Sequence, residues 1–206
     1  MKMYDVTGAI YEGMAVYKDQ PEKQPKFNQR TDGYVTETRL ELDVHTGTHI
    51  DAPLHMMADG ETFESISMDK LVGPCKVVDL TAAENGISKA DLQKFAIQKN
   101  DFLLLKTKNS FDENFNFDFV YLTEDGAAYL SELQIRGIGT DALGIERSQE
   151  GHPTHKTLFA AGIIIIEGLR LKEVEQGSYF MVAAPLNLIG TDASPARVLL
   201  FEEANF

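Results

Sequence analysis

The stretch His45-Thr46-Gly47-Thr48-His49-Ile50-Asp51-Ala52-Pro53-Leu54-His55 gathers three histidines and one aspartate within eleven residues. Imidazole nitrogens suit zinc, manganese, iron, copper or nickel, and a neighbouring carboxylate shifts the preference toward zinc or manganese. Because chance rarely places these residue types so close together, we interpret the stretch as part of a metal site. The candidate ligands are His45, His49 and Asp51.

The spacing inside this stretch limits its conformation. In a fully extended strand, His45 and His49 would lie ~13 Å apart at ~3.3 Å per residue. Bonds to one ion of about 2.0 to 2.2 Å cannot span that separation. A regular helix is disfavoured by Gly47 and by the junction before Pro53. We therefore expect an irregular, tightly folded loop that bends at Gly47 and Pro53.

Two residues far along the chain are candidates for the second half of the site. Glu167 follows the four isoleucines of residues 163–166, and a carboxylate at the end of so apolar a strand is costly unless it is paired or bound to a metal. His155 lies twelve residues earlier. Taken singly, each is more often an ordinary structural residue. Their place near a strand's carboxyl end, where α/β sheets hold ligands, makes them candidates.

The composition restricts the class of protein. The chain has 206 residues, 43% of them hydrophobic and 25% charged, and no linker-like stretch divides it. This predicts one soluble globular domain over residues 1–206. The net charge of −13 would repel a phosphate backbone, and the apolar run of residues 160–166 is shorter than the ~20 residues that span a bilayer. We expect neither a nucleic-acid partner nor a membrane partner.

Cysteine content bears on the compartment and on the ligands. Cys75 is the single cysteine, so an internal disulfide is excluded. The first residues contain no apolar segment of signal-peptide length, which makes the cytoplasm the expected location. Without a cluster of thiolates, the metal ligands are expected to be nitrogen and oxygen atoms.

Strand-like and helix-like patterns alternate along the chain. They predict an α/β fold, a mixed sheet or barrel-like β core with flanking helices. The segment 34–43 alternates in polarity, as in a strand with one wet face, and the polar segment 18–32 is predicted as a loop. The predicted strands are 3–10, 34–43, 75–80, 101–106, 137–140, 162–167, 179–184 and 197–202. The predicted helices are 88–98, 123–134, 154–161 and a short one at 171–175.

The histidine-rich stretch, followed by Met56-Met-Ala-Asp-Gly60, resembles the signature of the cyclase-like metal-dependent hydrolase family. Bacterial kynurenine formamidases and isatin hydrolases are members of that family. The likeness extends over most of the chain. It includes Pro74-Cys-Lys-Val-Val-Asp79, Gly137-Ile-Gly-Thr-Asp141, Ile165-Ile-Glu-Gly-Leu169 and Gly190-Thr-Asp-Ala-Ser-Pro-Ala-Arg197.

The resemblance implies a site with two metal ions in each subunit. His45, His49 and Asp51 would hold the first ion. Asp51, His155 and Glu167 would hold the second, with both carboxylates bridging the ions. Zn²⁺ is the expected cofactor, and Mn²⁺ is the alternative because the same ligand types serve both.

The resemblance also assigns two roles outside the ligand set. The residue that matches His55 transfers protons in the family and is not a permanent ligand. Kynurenine formamidases carry a substrate-binding tryptophan in the N-terminal segment, whereas this sequence contains no tryptophan and has Tyr17 in that place. Tyr17 is therefore the expected substrate-binding residue. A homodimer or higher assembly is implied as well.

These assignments lead to a hypothesis of amide hydrolysis by a metal-dependent, arylformamidase-type enzyme. The leading reaction converts N-formylkynurenine to kynurenine and formate. One alternative is ring opening of a cyclic amide such as isatin, or of another lactam or ester. A second is a metal-binding protein without catalysis, which the base His55 beside the ligands disfavours, because a structural site prefers closed ligation.

Overall fold

The computed structural model describes residues 2–202, so Met1 and residues 203–206 of the predicted domain lie outside the described part. Among the described residues no helix is long and apolar enough to cross a membrane. The strands are β1 (Met3–Asp5), β2 (Lys26–Asp32), β3 (Val35–Glu41), β4 (His49–Asp51), β5 (Val72–Asp79), β6 (Gly86–Ile87), β7 (Phe102–Lys106), β8 (Tyr121–Leu122), β9 (Gly137–Thr140), β10 (Ile164–Glu167), β11 (Gly177–Pro185) and β12 (Ala193–Glu202). The α-helices are α1 (Lys89–Leu92), α2 (Glu124–Leu133) and α3 (Pro153–Ala160).

Seven strands close into a mixed β-barrel. The order around the barrel is β12, β11, β5, β7, β9, β10 and β4, and β4 pairs again with β12. The strands β5, β7, β9 and β10 run parallel to one another, whereas the remaining pairings are antiparallel. The predicted barrel-like β core with flanking helices is confirmed.

The four isoleucines of residues 163–166, three of which lie in β10, divide between two hydrophobic clusters. Ile164 and Ile166 belong to a cluster that receives side chains from β4, β5, β7, β10, β11 and β12, which is the barrel interior. Ile163 and Ile165 belong to a second cluster outside the barrel, together with residues of α2 and α3. Since successive side chains of a strand point to opposite faces, a fully apolar strand is buried on both faces.

This alternation fixes where the polar residues of β4 and β10 lie. Asp51 pairs with Ile165, and His49 pairs with Glu167, in the antiparallel register of the two strands. Directly paired residues share a face, so all three polar side chains lie on the outer face with Ile165. That face is covered by α3, whose residues Leu158 and Phe159 belong to the outer cluster.

Most predicted elements are confirmed, with shifted ends. The strand 137–140 and the helices 123–134 and 154–161 agree with β9, α2 and α3 to within one residue at each end. The predicted helix 88–98 is too long. Its capping box of Ser88 and Asp91 is present, but α1 ends at Leu92. Beyond it the chain is held by tertiary contacts, such as the bond from the Lys76 ammonium to the Ala96 carbonyl.

The prediction of a short helix at 171–175 is wrong, because the segment forms a turn. The Lys106 ammonium is largely buried and donates to the carbonyls of Lys172 and Val174 at 3.1 and 2.7 Å. These carbonyls satisfy a charge that would otherwise be unpaired inside the protein. A long-range contact therefore decides the conformation of this segment.

The prediction of a loop at 18–32 is also wrong in its second half. Residues Lys26–Asp32 form β2, which pairs along its whole length with β3 in an antiparallel hairpin. Both strands are exposed on both faces, so β3 does not have the single wet face predicted for it. The predicted loop at 45–55 is likewise interrupted by the three residues of β4 and by a 3₁₀ turn at Pro53–His55.

Candidate metal centre

His45 reaches the outer face of the barrel through a tight turn before β4. Gly47 has a φ of +65°, a left-handed conformation that glycine adopts without strain. The Asp43 carboxylate accepts the backbone N–H of His45 at 2.9 Å and begins the turn. Thr48 then anchors the chain, because its hydroxyl donates to the Gly168 carbonyl at 2.6 Å. The bend at Gly47 brings His45 back toward the side chains of β4.

The side chains of β4, β10 and α3 converge at one buried point. Asp51 Oδ1 lies 3.1 Å from His45 Nδ1 and 3.3 Å from His49 Nε2. Glu167 lies 3.4 Å from both His49 Nε2 and His155 Nε2. His155 Nε2 lies 3.8 Å from Asp51 Oδ2. The structure thus brings together all five residues that the sequence analysis named as ligands.

Several atoms at this point have no hydrogen-bond partner, although they are buried. They are His49 Nε2, His155 Nε2 and both carboxylate oxygens of Asp51. Buried polar atoms are nearly always satisfied, and a cluster of unsatisfied ones indicates a bound ion or water. Nitrogen and carboxylate oxygen atoms are the donor types that zinc and manganese take in proteins. The cluster therefore fits a divalent metal ion.

The charges of the buried side chains also favour a bound cation in the cluster. Burial alone would lower the pKa of His49, but the Asp51 and Glu167 carboxylates raise it to about 10. Burial would raise the pKa of Asp51, yet the histidines around it hold that pKa well below its usual range. The pKa of Glu167 falls to about 2, against burial and the charge of Asp51, because of His155 and His49. Two buried anionic carboxylates create a field that stabilises a cation.

His55 lies beside the cluster on the 3₁₀ turn that follows β4. Its ring centroid is 4.1 Å from that of His45 and 5.7 Å from that of His155. Burial lowers the pKa of His55, which favours the neutral imidazole. About a quarter of its side chain stays exposed. His55 is thus close enough to exchange a proton with a molecule at the cluster.

A pocket of about 310 Å³ opens over the cluster. Its apolar lining includes Tyr17, Met56 and Leu143. Its polar lining includes Lys23, whose ammonium pairs with the Asp43 carboxylate at 3.0 Å. The ring of Tyr17 packs edge-on against the ring of Phe115, with centroids 5.3 Å apart. The structure therefore places Tyr17 at the pocket, where an aromatic face can contact a substrate.

Two acidic residues that the sequence analysis did not single out contact the cluster. Glu146 accepts a hydrogen bond from His155 Nδ1 at 2.7 Å. Asp192 lies 3.0 Å from His45 Nε2 and 3.5 Å from His55 Nδ1. Asp192 belongs to the stretch 190–197 that carries part of the family resemblance, so a signal for it existed. Nothing in the local sequence distinguishes Glu146 from a surface glutamate.

The chain matches a family model described as "Putative cyclase" over residues 4–147. A curated kynurenine formamidase from Bacillus mycoides is 35% identical over 176 residues, which cover 84% of each chain. A second, from Salinibacter ruber, is 30% identical over 206 residues, or 97% of each chain.

Among solved structures, one described as a "predicted metal-dependent hydrolase" from Bacillus stearothermophilus is 65% identical. The alignment covers 98% of both chains with a TM-score of 0.92. The family match spans more than half of the sequence, and the likeness to the relatives extends through the histidine-rich stretch, the barrel and α3. This chain belongs to the cyclase family of metal-dependent hydrolases.

Proposed function

We propose that this protein is a metal-dependent amide hydrolase of the arylformamidase type. The observation that carries the proposal is the buried convergence of three imidazoles and two carboxylates, with unpaired donor atoms, at the floor of a pocket. The curated relatives named above are kynurenine formamidases, which supports a formamide as the substrate. N-formylkynurenine is the first candidate.

We assign two metal positions to the cluster. His45, His49 and Asp51 would hold one ion, and Asp51, His155 and Glu167 would hold the other. Zn²⁺ is the proposed metal and Mn²⁺ the alternative, since the donor set serves both. When bound, such ions lower the pKa of water to about 7 and polarise a carbonyl oxygen.

His55 is the proposed proton-transferring residue. It accepts a proton from the attacking water and returns it to the nitrogen of the departing amine, so that the amine leaves as a neutral molecule. Asp192, 3.5 Å from His55 Nδ1, can orient the ring toward the pocket. Proton transfer of this kind typically contributes ~10²–10⁴-fold to the rate.

Tyr17 is the proposed contact for the aromatic part of the substrate, because it lines the pocket over the cluster. Tyrosine is smaller than tryptophan and adds a hydroxyl group. The smaller ring offers less area for stacking, and the hydroxyl adds a hydrogen-bonding group, so Tyr17 would contact a substrate differently from a tryptophan. Ring opening of isatin or another lactam is therefore the second candidate function, and it uses the same metal ions and the same His55.

We expect formate release from N-formylkynurenine by the purified protein, lost on chelation and restored by Zn²⁺ or Mn²⁺. The physical reason is that the unpaired atoms of the cluster are buried without a hydrogen-bond partner among the described residues. Elemental analysis of the same samples gives the metal content. Bound metal with turnover of isatin or a lactam alone would transfer the assignment to ring opening. Failure to bind any metal would contradict the proposal, and bound metal without turnover of any formamide, lactam or ester would favour a non-catalytic protein.

We further propose that the whole chain, residues 1–206, forms one hydrolase domain in the cytoplasm and that two copies form a homodimer. The hairpin of β2 and β3 supports the dimer. Cross-strand pairing gives the hairpin one face without charged residues, and the residues on that face are Phe27, Gln29, Thr31, Thr36, Thr38 and Leu40. Tyr34 at its tip is fully exposed. An isolated two-stranded hairpin is marginally stable in water, so a covering partner is expected.

Charge favours a second copy as that partner. The hairpin carries Lys26, Arg30 and Arg39 against Asp32, Glu37 and Glu41, three positive charges and three negative charges, whereas the chain carries −13. Two copies of this acidic chain can therefore meet at the hairpin without a net charge on either contact surface.

We expect Leu40→Lys, on the neutral face, to shift the protein from two chains to one in size-exclusion chromatography with light scattering. Burying an unpaired ammonium at the interface is costly. Asn28→Lys adds the same charge on the opposite face and serves as the control. A monomeric wild-type protein would refute the dimer, and an unchanged Leu40→Lys dimer would exclude this face from the interface.

A further inference from the structure

Glu146 is a buried carboxylate outside the ligand set, and one of its oxygens contacts His155 twice. Oε2 accepts the ring Nδ1–H at 2.7 Å and the backbone N–H at 3.1 Å. The side chain is completely buried. Burial opposes its charge, but the hydrogen bonds from His155 hold the pKa of Glu146 below its usual value. A single oxygen thus fixes both the backbone and the ring of His155.

This contact determines which ring nitrogen of His155 faces the cluster. With Nδ1 occupied by Glu146, Nε2 points at Asp51 and Glu167 and is free of hydrogen bonds. A carboxylate on the far nitrogen fixes the tautomer and makes the imidazole a stronger donor.

The other two candidate histidine ligands have weaker partners. His49 Nδ1 bonds to the Gly47 carbonyl at 3.0 Å, and a neutral carbonyl adds less basicity than a buried carboxylate. His45 Nε2 contacts Asp192, whose side chain is 41% exposed and therefore screened by solvent. Only His155 receives a fully buried charged partner among the three.

We propose that Glu146 is a positioning residue that strengthens the metal position formed by Asp51, His155 and Glu167, without strengthening the position formed by His45, His49 and Asp51. The proposal rests on the metal-dependent function proposed above. It makes the two positions unequal, so that loss of Glu146 empties one of them first.

A purely structural role for Glu146 must be separated from this one. α3 begins at Pro153, and its N-cap residue, His152, has a left-handed backbone and makes no side-chain capping bond. Glu146 caps the helix instead, through the backbone N–H of His155. Capping alone affects the stability of the metal-free protein, whereas positioning affects metal affinity.

The test compares wild-type protein with Glu146→Leu, Glu146→Gln and the control Glu150→Gln. Glu150 is exposed and four residues away, so it undergoes the same change outside the site. Each metal-free protein is dialysed against buffered free Zn²⁺, bound zinc is counted by elemental analysis, and thermal unfolding is followed without metal. These readouts do not depend on activity.

We expect wild-type protein and Glu150→Gln to bind two ions per chain. In Glu146→Leu one of the two ions should bind 10–100-fold more weakly, the range for loss of such a partner. Glu146→Gln should unfold without metal closer to the wild-type temperature than Glu146→Leu does, because its amide oxygen still accepts both N–H groups, and it should show a smaller loss of affinity.

Three outcomes would overturn the proposal. A Glu146→Leu protein that unfolds at a lower temperature yet loads both ions as wild type does would leave only helix capping. Equal weakening of both metal positions would remove the selectivity. Wild-type protein that binds no zinc would refute the proposed metal-dependent function itself, whereas the first two results leave that function intact.

Discussion

Replacing Asp51 with asparagine is expected to remove both bound metal and activity. Among the described contacts, the Asp51 carboxylate is the only group that lies near all three imidazoles. Its oxygens are 3.1 Å from His45, 3.3 Å from His49 and 3.8 Å from His155. Asparagine has nearly the same shape but no charge, and its amide hydrogens would face the imidazole nitrogens. Zinc content should fall from two ions toward zero, formamide hydrolysis should fall to the level of chelated protein, and added zinc should no longer raise the unfolding temperature.

The magnitude of the stability effect follows from mass action. A ligand present at 1,000 times its Kd stabilises a folded protein by about 4.1 kcal/mol. Wild-type protein should therefore gain about that much from each zinc ion at such a concentration, and Asp51→Asn should gain none. The two proteins separate clearly in a thermal unfolding experiment with and without zinc.

Asp141→Asn is the matched control, because Asp141 is a second buried aspartate at the end of a barrel strand. Its carboxylate accepts bonds from the N–H and hydroxyl of Thr107 at 2.7 Å and from the Ser110 hydroxyl at 2.6 Å. This variant should lose stability and keep its metal. If Asp51→Asn retains two zinc ions, Asp51 is not a bridging ligand and the two-metal assignment is wrong.

The sequence indicated the centre of this site because the ligands proposed for one ion lie close together along the chain. Three histidines and an aspartate within eleven residues need no fold to be noticed. Glu167 was indicated by the cost of placing a carboxylate after four isoleucines. The structure places it on the outer face of β10, opposite His49, which is the position that the two-residue alternation requires.

Glu146 and Asp192 could not be assigned from the sequence in this way. Their roles exist only through contacts with His155, His45 and His55, formed when distant segments pack together. The closure of the barrel was equally hidden. β4 is only three residues long, and two of the three are polar, so no sequence pattern predicts a strand there. Tertiary pairing with β10 and β12 produces that strand.

Two segments whose conformation does not follow from local sequence patterns were also predicted wrongly. Residues 171–175 form a turn because the Lys106 ammonium takes two of the segment's carbonyls. The hairpin of β2 and β3 was mistaken for a loop in its first strand, since that strand has no buried face and therefore no apolar alternation. Local sequence patterns predict the elements that bury one face. They fail where contacts with a distant segment determine the conformation.

The second large effect is expected at His55. Replacing His55 with alanine should lower kcat for formamide hydrolysis by ~10²–10⁴-fold, the usual contribution of a positioned proton-transfer group. Zinc content should stay at the wild-type level. The reason is geometric. His55 lies beside His45 and His155, on the turn that follows the strand of Asp51. Its ring faces the pocket over the cluster.

His55 also lies near enough to act as a ligand, because it forms a metal-capable group with His45 and Asp51. Elemental analysis of His55→Ala separates the two roles. A protein that loses one zinc ion together with its activity identifies His55 as a ligand, whereas full zinc content with wild-type kcat excludes it from catalysis. His152→Ala removes a half-exposed histidine that lines the same pocket. We expect that variant to lose less activity than His55→Ala, because the His152 imidazole is 3.9 Å from Glu146 and contacts neither Asp51 nor Glu167 among the described contacts.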